Sequence, residues 1–387
     1  MAIEGRLRFR IEKLVAGGEG FAFHEGRAIF VPLALPGEVI EAEIVETHKD
    51  WSRAEMRHLV EGSHDRVDPT CPIYGQCGGC NLQHLSYEGQ LGAKASILRE
   101  IFMRTAHFDP GELSVTPSLP FAYRNRLQLH FSERGCLGYM RRSSNDIIEA
   151  PTCPIAVTAL QTWIEERSGS PGTRDELKDY VAGKDRFILF GQGEKVYVEG
   201  RHNRVRVEIA GEKIGFDIKG FFQSNLYLLE RLIPEVVEGL EGEVAADLYA
   251  GVGLFAHFLA KRFRRLIMVE QNQFSLEAAR ENAPGPANEF HPLSVEDWCR
   301  GPGARAEVDA LVVDPPRAGL APELRAWIAK RRPARIAYVS CDPVTLARDS
   351  AELRMAGYAL EKLKLFDFYP QTGHIESLAR FQLEGNS

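Results

Sequence analysis

The chain has 387 residues, 44% hydrophobic and 26% charged, with a formal net charge of −7. Such a balance excludes a disordered or fibrous protein and leaves length for two or three domains. The negative charge excludes a uniformly cationic nucleic-acid coat but not a local basic groove, because exposed charges are screened beyond about 10 Å in salt.

The densest apolar stretch, 244–260, is interrupted by Asp247 and His257, so no membrane span is expected. The opening Glu4, Arg6, Arg8 and Arg10 do not read as a secretory signal. Residues 1–62 read as short strands at 7–14, 20–23, 27–31, 39–46 and 54–59, which predicts a small, OB-like β-barrel. Residues 62–72 read as a linker. A helix fits 85–106, with Leu91, Ala95, Leu98 and Phe102 on one face. A central α+β domain over 63–220 mixes strands at 124–131, 186–190, 195–198 and 205–209 with polar segments, of which 165–185 reads as an exposed excursion. From 221 to 387, apolar strands at 244–249, 266–270, 310–314 and 336–341 alternate with helices. That alternation predicts a Rossmann-like α/β domain, an open, mainly parallel sheet with helices on both faces. Ligands bind such sheets beyond the carboxyl ends of the strands, where Glu270, Asp314 and Cys341 fall.

Seven cysteines, an odd number, argue against a disulfide framework and point to the reducing cytoplasm. Cys71, Cys77 and Cys80 form one cluster, and Cys153, also followed by proline, is its remote fourth member. Zinc ribbons usually pair two C-x-x-C knuckles. Three cysteines plus a distant one suit the wider corners of an iron–sulfur cubane, and Gly78 and Gly79 allow close wrapping. Spacing leaves both metals open, and it differs from the pattern of radical enzymes.

The loop from Asp247 through Tyr249 and Gly251 to Gly253 follows a strand and opens a helix, with Glu270 placed to take ribose hydroxyls. The missing third glycine favours an adenosyl ligand over a dinucleotide. Asp314-Pro-Pro-Arg317, Ser340-Cys341-Asp342-Pro343 and the polar loop ending in Glu376 supply a carboxylate, a candidate nucleophile and a candidate base. Each also has a plain reading as a turn, a core thiol or a surface acid. Between 119 and 143, five arginines (Arg124 and Arg126 foremost) face one acid and interleave with Tyr123, Phe131 and Tyr139. That pattern suits unpaired RNA.

These motifs, with Phe221-Phe222-Gln223-Ser224-Asn225 and the closing 369–376 segment, occur in an order that resembles the RNA uracil-C5 methyltransferases. The resemblance is to the RumA/RlmD-type branch with a TRAM barrel and a four-iron, four-sulfur (4Fe-4S) cluster. Ala250 and Leu254 depart from the family's usual residues. The resemblance implies S-adenosylmethionine as methyl donor, Cys341 adding to uracil carbon-6, and Glu376 removing the carbon-5 proton. It further implies Gln223, Tyr249, Gly251, Gly253, Glu270 and Asp314 around cofactor and uracil, and Cys71, Cys77, Cys80 and Cys153 around the cluster. The expected substrate is 23S rRNA or a tRNA, the expected Cys341 a favoured thiolate, and the expected protein a cytoplasmic monomer. The cluster is expected to be structural. Two rivals share parts of the pattern: an amino-directed nucleic-acid methyltransferase, which would carry an aromatic where Arg317 stands, and a non-catalytic RNA-binding iron–sulfur protein.

Overall fold

The computed structural model describes residues 6–181 and 183–385; Glu4, and Ala182 of the expected excursion, lie outside them. The expected strand 7–14 is two strands, β1 (Leu7–Arg10) and β2 (Lys13–Leu14). With β3 (Gly20–His24), β4 (Arg27–Val31), β5 (Val39–Thr47) and β6 (Trp51–Glu61) they form a sheet ordered β1-β5-β6-β4-β3-β2. The two edges of this sheet are therefore consecutive in sequence. Between them the Ile11 amide donates to the Glu38 carbonyl and the Glu12 amide to the Phe21 carbonyl. The chain thus crosses from edge to edge and curls the sheet around Phe9, Ile11, Ile29, Val31 and Ile40. The linker is pinned rather than loose: Arg66 grips the buried Glu38 carboxylate at 2.6 and 2.8 Å and donates to the Leu33 carbonyl.

Helix α1 (Tyr87–Ile101) continues as one π turn (Phe102–Ala106) and leads to β7 (Leu113–Thr116). The antiparallel central sheet contains β8 (Arg126–Phe131), β9 (Leu137–Met140), β10 (Ile147–Glu149), β11 (Arg186–Gln192) and β12 (Lys195–Val198), with α2 (Thr158–Glu165) and α3 (Thr173–Val181) against it. Helix α3 lies within the expected excursion. Its polar composition hides Leu177 and Val181, four apart, which enter the core under this sheet. A hairpin, β13 (Arg204–Ile209) and β14 (Glu212–Asp217), completes this region.

The large sheet contains β15 (Gly242–Leu248), β16 (Phe263–Val269), β17 (Glu289–His291), β18 (Ala310–Val313), β19 (Arg335–Ser340), β20 (Tyr358–Phe366) and β21 (Glu376–Leu383). Its order is β17-β16-β15-β18-β19-β21-β20-β7, parallel except for β21. Successive strand residues point to opposite faces. Ala245, Leu266, Met268 and Val312 therefore meet α4 (Leu226–Val237), α5 (Leu254–Leu259) and α6 (Gln273–Asn282). Ala246, Ile267, Leu311 and Val313 meet α7 (Val295–Arg300), α8 (Pro322–Arg331) and α9 (Pro343–Met355). Helix α1 joins this second face through Ile97, Leu98 and Phe102, and β7 extends the sheet beside β20. Residue 220 is thus not a packing boundary, because segment 87–116 belongs to the large sheet. Among the described residues no helix is long and apolar enough to cross a membrane.

Candidate active site

Strand β15 carries Asp247 to the carboxyl edge of the large sheet and buries it. One carboxylate oxygen accepts from the Ala256 amide at 2.9 Å and the other has no partner. Burial, reinforced by Asp314 and Glu270 against that amide bond, pushes the carboxyl up to about 8. The chain then turns through three left-handed residues, Tyr249 (φ 63°), Gly251 (φ 54°) and Gly253 (φ 72°). The two glycines serve different ends. A Cβ on Gly253 would lie 2.9 Å from the Ala279 methyl, whereas one on Gly251 would meet nothing within 4 Å. Glu270, just past β16, accepts from the Gly251 amide at 3.0 Å and the Asn272 amide at 2.7 Å. Its remaining lone pairs stay available for hydroxyls. Burial pushes the Tyr249 phenol up to about 12, so it is a neutral donor.

Gln223 is held from both sides. Asn225 caps α4 and donates to Ser118 Oγ at 2.8 Å and the Phe368 carbonyl at 3.0 Å, while the Ser224 carbonyl accepts from the Asn125 amide at 2.7 Å. Gln223 itself is buried with its Oε1 unpartnered. A buried acceptor left so costs about 1–3 kcal/mol, which a ligand donor would recover. This orphaned oxygen, the open space over Gly251 and the Glu270 carboxylate fit an adenosyl ligand with ribose hydroxyls.

Asp314 follows β18 and Cys341 follows β19. Glu376 opens β21, and the register Ser340↔Ser377 sets it beside the end of β19 that bears Cys341. Asp342 caps α9 through the Val344 and Thr345 amides and fixes the chain just beyond the thiol. Glu376 is buried, and burial together with Asp314 pushes its carboxyl well up. Burial pushes Asp314 up to about 7. Cys341 is half-buried; burial, then Glu376 and Asp314, push its thiol up to about 11 against the opposing charge of Arg317. The expected thiolate is therefore not the resting form: burial, with two carboxyls beside it, disfavours a negative charge on the sulfur.

The loop before Glu376 is the most heavily anchored part of the site, and its anchors went unrecognised in the sequence. Lys94 of α1, wholly buried, pairs with Asp367 at 2.5 Å and donates to the Tyr369 carbonyl at 3.0 Å. Gln90 and Gln371 exchange hydrogen bonds at 2.8 and 2.9 Å. Tyr123 donates to the Pro370 carbonyl at 3.0 Å. The available signal was Gln90 and Lys94, four apart and in line with Leu98 and Phe102, as polar residues within an apolar stripe.

The basic segment is not the stacking platform expected. Tyr123 is buried beneath the loop, Phe131 stacks on Phe187 in the central core, and Tyr139 turns its buried hydroxyl toward Cys153. Arg126 donates to the Ile218 and Gly220 carbonyls, which turns its charge inward, whereas the exposed Arg134 pairs with Glu149 at the surface. Arg124 differs. Its Nε donates to the Arg126 carbonyl at 3.1 Å, and its charge reaches Tyr369 and His374 of the loop.

Cys71, Cys77, Cys80 and Cys153 are free thiols close enough to disfavour one another's ionisation; burial is the larger cause and pushes Cys80 up to about 12. Two buried donors, Gln83 Nε2 and the Tyr139 hydroxyl, lack an oxygen or nitrogen partner and face the Cys80 and Cys153 sulfurs respectively. Among the described residues no three His, Cys, Asp or Glu side chains converge tightly enough for a single metal ion. Neighbouring thiols with two donors aimed at sulfur are the donor set that a thiolate-held group needs.

Residues 304–381 match the tRNA (Uracil-5-)-methyltransferase family. An uncharacterized RNA methyltransferase of Treponema denticola is 34% identical, over 96% of this chain and 98% of that protein. The 23S rRNA (uracil(1939)-C(5))-methyltransferase RlmD of Shewanella sediminis is 32% identical, over 99% of this chain and 97% of its own length. The crystal structure of Pyrococcus abyssi tRNA (uracil-54, C5)-methyltransferase, in complex with S-adenosyl-L-homocysteine, superposes with a TM-score of 0.77 at 29% identity, covering 97% of this chain and 99% of the other. With the strand-end site and likeness along its whole length, the chain belongs to the S-adenosylmethionine-dependent RNA uracil-C5 methyltransferases.

Proposed function

We propose that this enzyme methylates carbon-5 of a uridine in 23S rRNA, with Cys341 as nucleophile and Glu376 as general base. The observation that carries the assignment is the register of β19 with β21, which brings a half-buried thiol and a buried carboxyl to one sheet edge beside Asp314. The rRNA substrate rests on the full-length likeness to an enzyme named for 23S rRNA; the archaeal tRNA enzyme makes tRNA the second reading. An amino-directed enzyme would have no use for the thiol.

S-adenosylmethionine, when bound, supplies an electrophilic methyl group on sulfonium. Gly251, Gly253 and Tyr249 would border its adenosyl end, Glu270 its ribose, and Gln223 and Asp314 the reacting end. Uracil's carbon-5 is too weak a nucleophile alone, so a Cys341 sulfur electron pair forms a bond to carbon-6 and displaces the carbon-5–carbon-6 double-bond pair onto carbon-5. Because the resting thiol is protonated, ionisation accompanies substrate entry, and the Asp314–Glu376 pair is the nearby base. After methylation Glu376 removes the carbon-5 proton and the carbon–sulfur bond breaks, its electron pair returning to Cys341 as a thiolate that regains its proton from the Asp314–Glu376 pair. Such base help is worth about 10²–10⁴-fold. The base must leave its stack at a cost of a few kcal/mol, and Arg124 is placed to help hold the RNA. Cys71, Cys77, Cys80 and Cys153 would hold a 4Fe-4S cluster, with Gln83 and Tyr139 donating to sulfur, and the curled N-terminal sheet would serve as a TRAM-type RNA contact. The protein would act as a cytoplasmic monomer, a setting its free cysteines suit.

Incubation with labelled S-adenosylmethionine and separated 23S rRNA and tRNA, followed by mapping of 5-methyluridine, tests the reading. Label in rRNA supports it, label confined to tRNA moves the substrate, and label on exocyclic amines rejects it.

A further inference from the structure

The cysteine segment and the loop bearing Glu376 are remote in sequence yet meet directly. Asn81 follows Cys80, and its side chain reaches both ways: Oδ1 accepts from the Gly373 amide at 2.8 Å and Nδ2 donates to the Gly17 carbonyl at 2.5 Å. The Asn81 and Leu82 amides both donate to the Gln371 carbonyl, at 3.0 and 2.9 Å. Gln371 is itself left-handed at φ 68°, an unfavourable state for a residue with a side chain. The clamp from Gln90 and a bond to the Pro120 carbonyl at 3.1 Å offset that cost.

The junction has no slack. Gly17 bridges Gly373, and a Cβ on Gly373 would lie 2.3 Å from the Gly17 backbone. Backbone therefore touches backbone where the barrel, the cysteine segment and the loop converge, three residues ahead of Glu376. The cysteine segment is in turn zipped to the turn after β9 through Gly78 to Met140 and Arg142 to Gln76. A shift of Cys80 on gaining or losing its ligand passes to Asn81 next door, and from there to Gly373.

We propose that Asn81 is a positioning residue for methyl transfer, coupling occupancy of the four-cysteine site to the placement of the loop that ends in Glu376. The proposal deepens the function given above and rests on it for the role of Glu376. It replaces the expectation of a purely structural cluster by a contact that bears on the rate.

Asn81→Ala and Asn81→Asp separate this from simple scaffolding, because aspartate still accepts from Gly373 but cannot donate to Gly17. The expected result is a kcat lower by about 10- to 100-fold in Asn81→Ala, at unchanged RNA KM. Faster hydrogen exchange at Gly373 should accompany it, and Asn81→Asp, which keeps the Gly373 bond but sets an oxygen against the Gly17 carbonyl, should fall between Asn81→Ala and wild type in both. In unsubstituted protein, stripping bound iron with a chelator should also speed exchange at Gly373, Asn81 and Leu82. The proposal is overturned if Asn81→Ala keeps wild-type kcat and exchange. It is equally overturned if iron removal leaves Gly373 protected, a measurement that stands even where Asn81→Ala fails to fold. If purified protein holds no iron, or wild type makes no 5-methyluridine, the cluster or the function reading has failed instead; the exchange contrast between the two Asn81 variants still decides whether Asn81 holds the loop.

Discussion

The proposed cofactor loop and the proposed catalytic loop solve the same problem, fixing a short irregular segment at the edge of one sheet, by opposite means. Residues 247–253 are held from nearby: the Asp247 carboxylate receives the Ala256 amide, and Glu270, one strand away, receives the Gly251 amide. Residues 367–376 are held from afar, by Lys94, Gln90, Asn81 and Tyr123. The first is a strand–turn–helix unit that forms with its own strands. The second exists only once segments nearly 300 positions apart have docked. The loop that ends in Glu376 is thus made dependent on the assembled molecule, whereas the 247–253 loop is not.

The strongest test lies at the paired ends of β19 and β21. Cys341→Ala should abolish turnover, and Glu376→Gln should lose about 10²–10⁴-fold and accumulate a covalent RNA adduct visible on a denaturing gel. Normal turnover by the alanine variant would sink the nucleophile assignment. Next comes the anchor of the catalytic loop. Lys94→Met leaves the buried Asp367 without its counter-charge, which should cost about 3–5 kcal/mol in denaturant titration. S-adenosylmethionine affinity should fall far less in variant molecules that remain folded, and an equal fall in both would erase the contrast drawn above.

Alkylation of Cys341 by iodoacetamide reads the thiol directly. With burial and two acids pushing it up to about 11, its rate should rise about tenfold per pH unit between about pH 7 and 9. Asp314→Asn should raise the rate at a given pH and Arg317→Ala should lower it; a flat profile would mean a thiolate already formed. The two arginines should part company. Arg124→Glu should weaken RNA binding severalfold with Tm nearly unchanged, whereas Arg126→Glu, which strands the Ile218 and Gly220 carbonyls, should lower Tm. The smallest effect belongs to the cofactor loop alone. Because the Asp247 carboxyl is raised from 3.8 to about 8, the folded state binds more protons than the unfolded one across that window. Its stabilising share is therefore complete below 3.8 and is lost as pH rises through about 8. Asp247→Asn lacks this dependence, so its Tm should gain on wild type by a few degrees between pH 5 and 9; parallel Tm curves would refute the buried charge.

What was legible in the primary structure was whatever is encoded locally. Apolar runs of strand length separated by helical periods predicted the large sheet, and topology alone then carried Glu270, Asp314 and Cys341 to its carboxyl edge. The motifs around Gln223, Asp247, Cys341 and Glu376 named the family for the same reason, since each is a short segment whose chemistry depends on spacing along the chain. Tertiary structure decided the rest. It moved α1 and β7 onto the large sheet, because a helix face of Ile97, Leu98 and Phe102 shows that it is apolar but not which surface it will cover. It turned Arg126 inward, paired Arg134 with Glu149 at the surface and sent Tyr123 and Phe131 to cores, since a charge count cannot tell a solvated guanidinium from one bonded to a carbonyl. It raised the Cys341 thiol instead of lowering it, because a pKa answers to burial and to acids brought in from other strands. And it set Asn81 against Gly373, a contact with no periodicity to betray it, created only when three chain segments close on one another.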